Sequence, residues 1–163
     1  MTDIRRQLHH IAEQHFRGER SGHTLQPTAI ANEVWIRLLA QDELHFEHPA
    51  AFKAWASMAV RHILVDHARR KMAKKRGGDR TRVALTDQAA ADDIDVLALN
   101  DALEALQDAH ERSARVVEMR FFGGMTDAEI AAELGVSDRT VRNDWRFARG
   151  WLRDALAEDQ KAP

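Results

Sequence analysis

Five arginines near the end of the chain stand at steps of three and four: Arg139, Arg142, Arg146, Arg149 and Arg153. A guanidinium is always charged and presents a planar fork of donors, so a row of them suits phosphate oxygens and guanine edges. The spacing makes a row only if the segment is helical, because residues three and four apart share a helix face. Val141, Trp145, Ala148, Leu152 and Leu156 recur at the same steps. At about 100° per residue the two rows centre roughly 100° apart. One can pack inward while its neighbour lies along a nucleic-acid backbone.

The segment just upstream must position that helix. Thr126 can cap a shorter helix, and Glu129 stands three residues on, where a capping box wants it. Ile130, Ala131 and Leu134 give the shorter helix an apolar face. Gly135 can end it in a left-handed conformation without steric cost, and Ser137 can cap the next helix. Val136 can plug the corner between them. This is a helix-turn-helix, whose second helix enters the major groove N-terminus first. Asp138, Arg139, Thr140, Arg142, Asn143 and Arg146 are therefore the residues expected to face DNA. A plain helical hairpin with a solvated arginine face would share the charge row. Cap, glycine, turn length and stripe geometry together favour DNA binding.

The other candidate chemistry is weak. His62, Asp66 and His67 sit close in one segment, and His9, His10 and His15 in another. No HExxH occurs, and a His/Asp pair four apart is not a paired-histidine zinc motif. No nucleophile–base pair stands out either, so neither an enzyme nor a cofactor is expected. The chain has no cysteine, which excludes disulfides and thiolate metal sites. The apolar runs fall far short of a membrane span and the N-terminus lacks a signal-peptide core. A cytoplasmic protein with no membrane partner is expected.

The net charge of −2 hides an asymmetry. From Arg69 to Arg82 there are eight Lys/Arg and one acid, Asp79. From Val83 to Glu111 there are eight Asp/Glu and no Lys or Arg. Such blocks point to separate surfaces with separate roles. Helical spacing predicts helices over 1–17, 28–40, 50–75, from near Ile94 onward, and over 110–122. Residues 17–27 read as a loop, and Gly77-Gly78 and Gly123-Gly124 as breaks. No strand pattern or repeat is visible. The expected fold is all-α: two small helical domains, 1–78 and 95–163, joined by an acidic linker at 79–94, with the helix-turn-helix in the second.

Nearly the whole chain resembles the extracytoplasmic-function (ECF) sigma factors of bacterial RNA polymerase. The resemblance rests on GHTLQPTAIANEVWIRLL (22–39), FKAWASMAVRHILVDHARRKMAKKRGG (52–78) and ARVVEMRFFGGMTDAEIAAELGVSDRTVRNDWRFARGWL (114–152). It is strongest to a subgroup with GHTLQPT and ILVDHARR signatures. It implies a factor that directs RNA polymerase core to specific promoters. The first domain would bind the polymerase clamp helices and melt the −10 element, the helix-turn-helix would read the −35 element, and the linker would thread a nucleic-acid path. Promoter DNA, RNA polymerase core and an anti-sigma factor are the partners implied.

Residue by residue, Asn32, Glu33, Trp35 and Arg37 match the polymerase-binding segment. Arg61, His62, Asp66, Arg69 and Arg70 match the −10 segment, although His62 replaces an asparagine common in the family. An imidazole can still stack on or hydrogen-bond a splayed base. Trp55 matches a tryptophan whose expected role is packing. Relatives usually carry a further helix before the segment that opens this chain. Its absence predicts uncovered apolar surface and a first domain that leans on a partner. Two other readings share the motif: a conventional helix-turn-helix regulator binding palindromic duplex as a dimer, and a degenerate sigma-like adaptor that titrates polymerase.

Overall fold

The structure is a computed structural model that describes residue 6, residues 27–74, 82–84 and 93–161. The expected helix over 1–17 and its following loop lie outside the described residues, apart from Arg6. Helix α1 spans Pro27–Leu39 and helix α2 spans Pro49–Lys74. Strands β1 (Arg82–Ala84) and β2 (Asp93–Asp95) follow, then α3 (Val96–Ala109) and α4 (Glu111–Val117). The chain runs straight on into a wider π turn, Glu118–Phe122. Helices α5 (Asp127–Leu134) and α6 (Asp138–Asp159) complete it.

The fold is all-α, as the spacing predicts, with one addition. β1 and β2 pair antiparallel, Arg82 opposite Asp95 and Ala84 opposite Asp93. They join the two ends of the segment read as a linker. Three residues are too few for a period-two alternation to stand out, so the sequence shows no strand there. The ribbon leads directly into α3, where the Asp95 carboxylate accepts the Leu97 N–H at 3.0 Å and caps the helix.

Helix α2 lies at the centre. Phe52, Ala56, Ala59, Val60, Ile63, Leu64, Val65 and Ala68 are all buried. They do not fall on a single stripe, because the helix is covered on two sides. Helix α1 packs on one side through Ile30 and Val34; the π turn, α3 and α5 pack on the other. Phe46 and Trp55 close one edge, with Phe46 edge-on to Phe52 at 5.3 Å and Trp55 5.9 Å from Phe46. The core therefore continues from α2 into Leu103, Leu106, Met119, Phe122 and Ile130. Burying each such side chain is worth about 1.5–3 kcal/mol relative to exposure.

The π turn and the glycines after it set how α5 approaches α2. A wider turn brings Met119, Phe121 and Phe122 inward together, and all three are buried. At Gly123 a Cβ would lie 1.9 Å from the Ser57 Oγ and 2.6 Å from the Met119 carbonyl oxygen. Only a residue without a side chain lets the backbone pass so close to α2. Gly124 then takes φ 59°, and the Met125 N–H returns to the Met119 carbonyl at 3.2 Å.

Candidate nucleic-acid interface

The helix-turn-helix is built as its sequence dictates. The Thr126 hydroxyl accepts the Glu129 N–H at 3.2 Å, and the Glu129 carboxylate accepts the Thr126 N–H at 2.9 Å, a complete capping box. Gly135 ends α5 with φ 66° and ψ 36°. The Ser137 hydroxyl accepts the Thr140 N–H at 3.2 Å and starts α6. Val136 is half-buried against the core at the corner.

The two rows on α6 separate as their phases require. Val141, Trp145, Ala148 and Leu152 are buried, and Leu156 packs beside them. Arg139, Arg142, Arg146, Arg149 and Arg153 are exposed. Asp138 and Asn143 share that solvent side; Thr140 is half-buried, its hydroxyl 3.0 Å from that of Ser137. Charged contacts brace the helix from below. Arg112 grips both carboxylate oxygens of Asp144 at 2.6 and 3.2 Å. Hydrogen bonding to Asp144 raises the Arg112 pKa above its ordinary value. Arg120 pairs with Asp127 and lies over the Trp145 ring at 4.8 Å. Arg142 leans toward the same Asp127, at 3.9 Å.

On α2, His62, Asp66, Arg69 and Arg70 are exposed. They run along the outer side toward the basic end of the helix, Arg70 holding its own turn through the Asp66 carbonyl at 3.3 Å. Arg61 does not join them. It is 7 % exposed and points inward, its Nε donating to the Asn100 carbonyl at 3.1 Å and its Nη1 to Glu118 at 2.9 Å. On α1, Asn32 is exposed, Glu33 and Arg37 are partly exposed, and Trp35 is half-buried against the core. Arg37 bridges the two sets: it pairs with Glu33 at 3.1 Å and reaches Asp66 at 3.4 Å.

A recognition helix with an open cationic face, and a second cationic helix end on the same chain, describe a protein that meets nucleic acid at two places. The family model for ECF sigma factors matches residues 2–158. The chain belongs to the ECF sigma factor family. It is also similar to the ECF RNA polymerase sigma factor SigL of Mycobacterium tuberculosis, in three strains. The identity is 24% over 142 residues, covering 85% of this chain and 78% of the relative. This ECF sigma factor acts in transcription initiation, directing RNA polymerase to promoters. That family is not a class of enzymes, and among the described residues no helix is long and apolar enough to cross a membrane.

Sequence reasoning missed a second set of residues in this sigma factor. Lys53, Ser57 and Arg61 stand four apart along α2 and face the C-terminal half. Lys53 pairs with Glu129, the same carboxylate that closes the capping box. Ser57 donates to the Lys53 carbonyl at 2.7 Å and abuts Gly123. Asn100, which holds Arg61, also donates to Glu104 at 3.1 Å. Burial pushes the Glu129 carboxyl up, but Lys53 and Thr126 outweigh it and leave it below the ordinary carboxylate range. Two signals for this set were present: Asn100 on the apolar face of α3, and Glu118 inside the apolar run VVEMRFF. A buried polar residue on a core face asks for a partner.

Proposed function

We propose a division of labour among three surfaces of this sigma factor. The N-terminal end of α6, with Asp138, Arg139, Thr140, Arg142, Asn143 and Arg146, reads the −35 element as duplex. Base readout belongs to the first turns, and Arg149 and Arg153 farther along supply phosphate contacts. The outer side of α2, with His62, Asp66, Arg69 and Arg70, works on the −10 element, where single-stranded bases can stack on or bond to an imidazole. Arg61 belongs to this surface by resemblance but is turned away from it, so it is left out of the face.

Helix α1 docks on the clamp helices of RNA polymerase core, through Asn32, Glu33, Trp35 and Arg37. Ile36 and Leu39 support this reading. They are large, apolar and exposed on the side that carries Asn32. Exposed apolar clusters beside polar residues mark interaction surfaces. An anti-sigma factor is the natural competitor for the same surfaces, and the setting is the cytoplasm, where polymerase works.

The observation that carries the −35 assignment is the pairing of a buried stripe and an exposed arginine stripe on one helix. The test is transcription in vitro with core polymerase. Templates come from the upstream regions of transcripts that rise when the protein is overproduced. Promoter-specific initiation dependent on this chain is the expected result. A chain that binds a palindromic duplex tightly by itself, yet gives no initiation with core polymerase, would overturn the reading.

A further inference from the structure

Two promoter elements named −10 and −35 are about 25 base pairs apart, or roughly 85 Å along a duplex at about 3.4 Å per pair. A compact chain of this length has a radius of gyration of about 15 Å and is roughly 40 Å across. The arrangement of α2 against the C-terminal half is compact in this sense. The π turn, α3 and α5 all pack on α2, and the core runs through the seam. In that arrangement the two DNA-facing surfaces cannot sit on both elements at once.

The seam also has an unusual composition for a core. Its polar line runs Lys53, Ser57, Arg61 on α2 against Glu129, Gly123, Glu118 and Asn100. His48, just before α2, lies 3.7 Å from Glu133 at the rim. A buried ion pair holds two surfaces in register but is a poor source of net stability, because both charges are stripped of water when it forms. Opening the seam returns those charges to water, an advantage that an all-apolar seam lacks. Loss of the surrounding apolar contacts still disfavours opening in the free chain. A partner must supply that energy.

We propose that this line is a latch that keeps the free sigma factor closed, and that binding to polymerase opens it. The inference rests on the promoter-reading surfaces proposed above. In the closed form Arg61 is a latch residue; on opening it is released to the α2 surface its resemblance assigns it to. The latch also explains why Glu129 is shared. Its bonds to Thr126 keep α5 capped after Lys53 leaves, so the helix-turn-helix survives opening intact.

The chain has no cysteine, so a single engineered pair gives the only thiols. His48→Cys with Glu133→Cys, at the rim and outside the proposed binding surfaces, is joined by a short bismaleimide. The cross-linked chain is expected to keep its helical content and lose most promoter-specific initiation with core polymerase. Each single-cysteine chain, treated with the same reagent, is expected to initiate like the parent. Initiation by the cross-linked chain at the parent level, or failure of the link to form, overturns the latch. If the treated single-cysteine chains and the parent also fail to initiate, the reading of the chain's promoter surfaces fails instead. A second variant, Glu118→Gln, weakens the latch without changing its shape. It is expected to reach half-maximal initiation at several-fold less polymerase. An unchanged requirement in a chain of native helicity also counts against the latch.

Discussion

Arginine does opposite things on two helices of this chain. On α6 it forms an exposed row beside a buried one, and its charge is offered to solvent. On α2, Arg61 carries the same side chain into the seam, where Asn100 and Glu118 hold it. Type and spacing do not distinguish them; what lies opposite does. Helix α6 has a single inward stripe, so the neighbouring arginines are left outside. Helix α2 is covered on two sides, so a position that looks outward from one cover is inward to the other. A cationic residue on a doubly covered helix is first a question of packing and only then of nucleic acid.

The contrast can be broken first at the core both halves share. Phe122→Ala should cost about 3–5 kcal/mol, the range for deleting a buried phenyl ring. Chemical denaturation followed by helicity should show one transition shifted as a whole. A shift confined to part of the signal would mean that the halves fold separately. Next is Arg61→Ala, which strands Glu118 and Asn100. Breaking one side of a buried pair costs about 3 kcal/mol, so the melting temperature should fall markedly. An unchanged melt, with lost initiation, would make Arg61 a DNA contact after all.

Arg142→Ala and Arg146→Ala should behave the other way, with the melt unchanged and promoter function reduced. If an arginine contacts a guanine edge, the loss is about 1–3 kcal/mol and selective for that base; if it contacts phosphate, the loss is uniform and the salt slope falls by about one. Binding titrations across salt concentrations separate the two. Thr126→Ala removes a cap and should cost about 1 kcal/mol of stability, read in the same denaturation experiment.

The smallest effect is one of pH. Glu129 titrates below its ordinary range in the folded chain. Its contribution is therefore present above the unfolded carboxylate pKa and disappears as pH falls through the lowered folded value. Glu129→Gln keeps the capping box but not the ion pair with Lys53. The difference in melting temperature between parent and variant should be present at neutral pH and vanish in acid. A difference that persists in acid would show that the ion pair is not its source.

The helix-turn-helix was legible residue by residue, because local rules decide it: a cap at Thr126, a stop at Gly135, a cap at Ser137, and two phased rows. The bounds of α1 and α2 were legible for the same reason. The seam was not. Lys53 meets Glu129 across 76 positions and Arg61 meets Glu118 across 57, distances at which no periodicity speaks. The short ribbon of β1 and β2 was hidden by its length. Arg61 was assigned to the DNA side because its neighbours His62, Asp66, Arg69 and Arg70 belong there, and one residue's step around a helix was enough to send it elsewhere.

The wide turn at Glu118–Phe122 has a mechanical meaning beyond the ring packing it permits. A π turn behaves as one residue inserted into an otherwise regular helix. Excising a single residue there would restore the tighter pitch and rotate everything downstream by about 100° about the helix axis. Phe121 and Phe122 would swing out of the core, and the arginine row of α6 would be aimed at a different azimuth. The turn acts like the thread of a screw: its winding, more than any side chain in it, sets the compass bearing from which this protein addresses DNA.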